Sequence, residues 1–104
     1  MKKPTLQATE KQFQQAIVDL AHATGWMVYH TYDSRRSAKG FPDLVLCHPK
    51  RGDLYFFEVK SQTGKTTKEQ DNWLEALQNA QQAACVVRPN DWDWIEATLK
   101  AKYR

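Results

Sequence analysis

The chain has 104 residues, a formal net charge of +3, 41% hydrophobic and 26% charged residues, a balance that excludes a highly charged disordered chain and suits one domain built on a single sheet. No apolar run approaches the ~20 residues that cross a bilayer. The start Met1-Lys2-Lys3-Pro4 lacks the apolar core of a secretory signal, so no membrane is implied and a cytoplasmic location is expected.

Residues 1–7 read as a flexible tail. Thr9 with Gln12 forms a capping-box pattern, and Phe13, Ala16, Ile17, Leu20 and Ala21 fall at the spacing of one helical face, with Gly25 as the stop. Trp26 to Tyr32 is an aromatic, β-branched run that predicts a strand, followed by a polar, basic loop from Asp33 to Gly40. Leu44–Leu46 and Leu54–Val59 predict two strands, and the Pro, Gly and Asp between them predict the turn of an antiparallel hairpin. After the loop 61–66, Thr67 and Gln70 repeat the capping box, with Trp73, Leu74, Leu77 and Ala80 toward the core. Ala84–Val87 predicts a fourth strand. Pro89-Asn90 breaks it, and Asn90 is expected to cap a last helix with Trp92, Ile95, Leu99 and Tyr103 on one side.

The order is αβββαβα, in which a helical crossover implies parallel pairing and the tight turn antiparallel pairing, so the sheet is expected to be mixed. Cys47 and Cys85 lie in predicted strands among apolar neighbours and read as small buried hydrophobes, with neither disulfide nor zinc spacing.

Chemistry enters where the strands carry charge. Asp43 opens one apolar strand and, after fourteen intervening residues, Glu58-Val59-Lys60 closes the next. Side chains alternate along a strand, so Glu58 and Lys60 project to the same side, and the hairpin folds Asp43 back beside them. Two acids at adjacent strand ends suit Mg²⁺ or Mn²⁺, and the Lys60 ammonium suits orienting or deprotonating a water, or neutralising charge on a phosphate. The alternative, a solvated Glu-x-Lys strand face, fits poorly with the apolar surroundings, where unpaired charge costs several kcal/mol.

Glu10 is a third candidate acid. Its spacing from Phe13 and Ile17 puts it on the buried stripe of the first helix, although an acid in a first turn is also explained by the helix dipole. Gln70 occupies the equivalent place on the second helix, where it can meet Lys60 or a water, or simply complete its capping box. Arg35, Arg36 and Lys39 before Asp43, and Lys65 and Lys68 after Lys60, form basic clusters flanking these acids and are candidate nucleic-acid contacts. Tyr29 and His30 receive no role. Trp73 and Trp92 fall on apolar stripes, while Trp94 falls off its stripe and suggests an interface.

Together these residues resemble the VRR-NUC domain, a branch of the PD-(D/E)XK nuclease superfamily. The likeness runs through Thr9-Glu10, Gly25-Trp26 to His30, Gly40-Phe41-Pro42-Asp43-Leu44, Phe57-Glu58-Val59-Lys60, Gln70 and Arg88-Pro89-Asn90-Asp91-Trp92. The resemblance implies a restriction-endonuclease-like core in which Asp43, Glu58 and the Val59 backbone carbonyl bind the metal, Lys60 is the catalytic lysine, and Glu10 and Gln70 belong to the site. It also implies kinship with small stand-alone phage and bacterial members similar to Holliday-junction resolvases, which work on branched DNA as homodimers. A chain this small offers little surface for grasping DNA, which independently favours a symmetric dimer.

The expectation is therefore a Mg²⁺- or Mn²⁺-dependent DNA endonuclease, with Glu10 completing the metal's coordination sphere. A DNA-binding or scaffold module of the same fold without turnover is the rival from another class. An exonuclease, nickase or RNase would keep the chemistry and change the substrate.

Overall fold

The computed structural model describes residues 2–31 and 38–102, so Arg35 and Arg36, the end of the first predicted strand at Tyr32, and Tyr103 of the last predicted stripe lie outside the described residues. In chain order the elements are α1 (Glu10–Ala23), β1 (Met27–His30), β2 (Leu44–His48), β3 (Asp53–Val59), α2 (Lys68–Asn79), β4 (Ala83–Val87), a 3₁₀ turn (Pro89–Asp91) and α3 (Trp92–Lys100). They form one mixed four-stranded sheet ordered β1-β2-β3-β4, antiparallel except for the parallel β3–β4 pair. This is the αβββαβα arrangement that the hairpin turn and the helical crossover predict.

Both predicted capping boxes are present, Thr9 with Gln12 on α1 and Thr67 with Gln70 on α2. Each satisfies two backbone N–H groups that a helix start leaves unbonded. Between α1 and β1, Gly25 takes a φ of +90°, a conformation that favours glycine and lets the chain reverse directly into the strand. The last helix starts one residue later than an Asn90 cap implies, with Asp91 at the cap position, because Pro89–Asp91 first makes a 3₁₀ turn, with the Asp91 side chain accepting from the Arg88 N–H at 2.8 Å.

Strand alternation sorts the sheet into two faces. One carries Leu44, Leu46, Phe57, Val59 and Val87, all buried against Phe13, Ile17 and Leu20 of α1 and Trp92, Ile95 and Leu99 of α3. The other is covered by α2 only toward β4, where Trp73 packs edge-on against Phe41 at 5.1 Å and Phe41 against Phe56. The rest of that face leaves Met27, Tyr29, Cys47 and Leu54 exposed. Cys47 is thus not a buried residue, because its register partner is Met27 on the uncovered face. Cys85 is half-buried, and burial pushes its thiol up to about 11. On α2 only Leu74 is fully buried, and Ala80 is an exposed C-cap instead of a core residue. Trp94 is 47% exposed, as its position off the stripe predicts.

Residues 2–9 have no helix or strand. They are nonetheless tied to the body through Ala8 in the core and a 3.1 Å ion pair between Lys3 and Asp93. Among the described residues no helix is long and apolar enough to cross a membrane.

Candidate active site

The site lies where β2 begins and β3 ends. Leu44 and Phe57 are register partners facing the core, so Asp43 and Glu58, one step along each strand, turn to the opposite face. The Asp43 carboxylate is pinned there by the Val59 N–H, which donates to Oδ2 at 2.8 Å. Glu58 is 1% exposed and Lys60 8% exposed. The Lys60 Nζ stands 3.9 Å from Glu58 Oε2, a contact long enough to be electrostatic rather than a close hydrogen bond.

One glycine explains how the loop and helix approach so closely. Gly40 has a φ of +87°, and a Cβ there would lie 2.4 Å from the backbone carbon of Glu69 and 2.7 Å from Gln70 N. Only glycine lets the loop carrying Asp43 press on the first turn of α2. That first turn presents Gln70, whose Oε1 accepts the Thr67 N–H at 2.9 Å while its Nε2 donates to Glu58 Oε2 at 3.1 Å. Gln70 thus completes its capping box and at the same time bonds Glu58, not Lys60.

The electrostatics single out Glu58. Its pKa is pushed up from 4.5 to about 9, first by burial, then by a hydrogen bond with Asp43 and the charge of Asp43, with a smaller contribution from Glu10; Lys60 pulls the other way. Its Oε1 is buried and reached by no donor. As a carboxylate that oxygen would be an unsatisfied acceptor, and as an acid it can only share a proton with the neighbouring Asp43.

Glu10 is exposed instead of lying in the buried stripe, because it is the first residue of α1 and faces the 61–64 turn. Its Oε2 would lie 3.3 Å from a Cβ placed on Gly64. Lys39 is exposed and stands 3.8 Å from Glu69, and Lys65 and Lys68 are exposed. The structure thus gathers Asp43, Lys60 and Gln70 around Glu58, with Glu10 at the margin. Among the described residues no group of three or more His, Cys, Asp or Glu side chains is gathered closely enough to form a ready-made metal centre.

The donors present still fit a hard divalent cation. Two carboxylates, one of them with a buried oxygen lacking a partner, supply the oxygen chemistry that such ions select, and their number leaves positions open for water and phosphate. A cleft of about 400 Å³ lined by Thr24, His48, Leu99 and Lys102 lies at the opposite end of the hairpin, away from these groups.

A mixed sheet with paired carboxylates at adjacent strand ends and a lysine two residues beyond defines a nuclease-like fold. The family model of the VRR-NUC domain matches residues 3–90, and the chain belongs to that family. No curated protein and no solved structure matches the chain. Sequence reasoning missed the part played by Arg88, whose guanidinium bonds the turn beyond Lys60. The signals were its place at a strand end ahead of Pro89 and in the Arg88–Trp92 stretch of the family likeness, neither of which names its partners.

Proposed function

We propose that this protein is a Mg²⁺- or Mn²⁺-dependent DNA endonuclease, selective for branched DNA such as Holliday junctions and acting as a homodimer. The carrying observation is the Glu58 carboxyl: a buried acid with one oxygen lacking a donor, beside Asp43 and Lys60. A purely structural carboxyl at this depth would be expected to have its acceptors filled.

Asp43, Glu58, the Val59 carbonyl and Glu10 would hold the cation, which when bound supplies Lewis acidity to the scissile phosphate and to an attacking water. Gln70 holds Glu58 Oε2 and so leaves Oε1 as the open oxygen. To hold a cation Glu58 would have to give up its proton, so uptake of the ion would release one. The Lys60 ammonium, buried on the same face, orients the water or neutralises charge developing on the phosphate. Arg35, Arg36, Lys39, Lys65 and Lys68 are assigned to the phosphate backbone, and two copies related by a two-fold axis would present two sites to two strands.

The test is cleavage of a panel comprising a four-way junction, flap, splayed arm, duplex and single strand, with Mg²⁺ or Mn²⁺, alongside the oligomeric state. The junction is expected to be cut by a dimer, and Lys60→Ala to lower the rate about 10²–10³-fold. Undiminished cutting by Lys60→Ala removes the mechanism. A wild-type protein that cuts nothing with either ion removes the function.

A further inference from the structure

Arg88 lies just beyond β4, yet its side chain reaches back to the loop that follows Lys60. Its Nη1 donates to the Ser61 carbonyl at 2.7 Å and to the Gly64 carbonyl at 2.6 Å. A second tie runs beside it, from the Asn90 N–H to Gln62 Oε1 at 3.0 Å. The turn is closed from within by the Gly64 N–H on Ser61 Oγ at 3.0 Å. The backbone ahead of it is held by the same side of the molecule, since the Lys60 N–H donates to the Val87 carbonyl at 3.1 Å. Residues 87–90 thus fix the path of 60–64 at four points.

The outer side of this turn meets Glu10. A single methyl on Gly64 would press on Ser61 Oγ at 2.9 Å and Glu10 Oε2 at 3.3 Å, so the bare glycine sets how far the carboxylate can advance. Glu10 is at the start of α1, its exposed side chain makes no hydrogen bond or ion pair among the described residues, and the turn is the surface it rests on.

We propose that Arg88 is a positioning residue: by clamping the Ser61–Gly64 turn it holds the Glu10 carboxylate at the margin of the Asp43–Glu58 pair and so sets the affinity of the site for its divalent cation. This rests on the metal-nuclease reading above. A guanidinium suits the task because one nitrogen carries two N–H donors and a rigid plane fixes their direction, whereas a lysine ammonium sits on a shorter, freely rotating stem.

The test uses Mn²⁺ titration calorimetry, amide hydrogen exchange and melting of the whole chain in wild type, Arg88→Met, Arg88→Lys, Glu10→Gln and the double variant Arg88→Met/Glu10→Gln. Arg88→Met is expected to weaken Mn²⁺ binding about tenfold, the range seen when a group supporting a metal ligand is removed. Arg88→Lys should recover part of the loss. The double variant should bind no more weakly than Glu10→Gln alone, because residues acting through one another are not additive. Metal-free Arg88→Met should exchange its Gly64 amide faster while melting within about 5 °C of wild type. Unchanged Mn²⁺ affinity in Arg88→Met, or losses that add in the double variant, overturns the proposal. Should Arg88→Met not fold, Gly64→Ala displaces Glu10 from the other side with Arg88 intact and must weaken Mn²⁺ binding likewise; if it does not, the proposal is wrong. A wild type that takes up no Mn²⁺ defeats the metal reading, and with it the effect on affinity; faster Gly64 exchange in Arg88→Met would then show the clamp alone.

Discussion

The two ends of the β2–β3 hairpin are both polar, and they are built on opposite principles. At the turn, His48 Nδ1 accepts from the N–H groups of Lys50 and Arg51, each at 3.2 Å, and its Nε2 faces the Thr24 carbonyl at 3.2 Å. Arg51 bonds Asp53 through Nε at 2.8 Å and Nη2 at 2.7 Å, donates to the Thr98 carbonyl at 2.8 Å, and lies over Trp26 at 4.7 Å. At the other end Glu58 keeps its buried Oε1 without a donor, and Lys60 stands 3.9 Å from the other oxygen, Oε2. Saturated polar clusters hold a fold together, whereas an under-satisfied one costs stability and is a mark of a functional site.

The sharpest way to break this contrast is Glu58→Gln. It keeps the shape and removes the charge, so cleavage should fall about 10²–10³-fold. Stability should move the other way. In the folded, cation-free protein Glu58 stays protonated to about pH 9, while in the unfolded chain it ionises near 4.5. Folding therefore takes up a proton between those values. The stabilising contribution is full below about 4.5, declines as pH rises, and is gone above about 9. Chemical denaturation from pH 4 to 9 without metal should show wild type losing stability against Glu58→Gln, with the two converging at the acid end. A variant less stable than wild type at pH 8 would mean that the carboxylate supports the fold.

Arg51→Ala probes the other end. It removes an ion pair whose arginine side chain is 8% exposed, the carbonyl bonds that hold the end of α3, and the contact on Trp26. The loss should be about 2–3 kcal/mol, lowering the melting temperature on the order of 10 °C. Cleavage per folded molecule should not change. A rate loss as large as that of Lys60→Ala, measured well below the melting point, would erase the distinction between the two ends.

How much of this was readable in advance follows the same division. The αβββαβα order, both capping boxes and the approach of Asp43 to Glu58 follow from local periodicity and turn residues, which act over a few positions. What the sequence hid depends on contacts across the chain. Cys47 was expected to be buried, but which face of the sheet α2 would cover cannot be read from alternation, and the exposed Met27 and Leu54 flank it in the register. Glu10 fits the apolar stripe by spacing, yet as the first helical residue it lies beside the turn at Gly64. The purpose of Gly40 is visible only once the α2 backbone is seen at 2.4 Å from its missing Cβ. Arg88 joins residues 24 and 27 positions away, a separation no local pattern encodes.

The smallest expected effect sharpens the comparison at its rim. Lys39 is exposed and 3.8 Å from Glu69, a pair in water whose removal should change stability by less than about 0.5 kcal/mol. Glu69 is left partly solvated, so Lys39→Ala strands no buried charge. If Lys39 meets a phosphate, the variant should weaken DNA binding by a similar factor across all substrates and reduce the slope of log K against log salt by about 1. The maximal rate at saturating DNA should hold, because among the described residues Lys39 pairs with Glu69 and not with Glu58 or Asp43. An unaltered salt slope with normal binding would leave Lys39 as a solvated partner of Glu69. A fall in maximal rate with no change in binding would move Lys39 from the rim of the site into its chemistry.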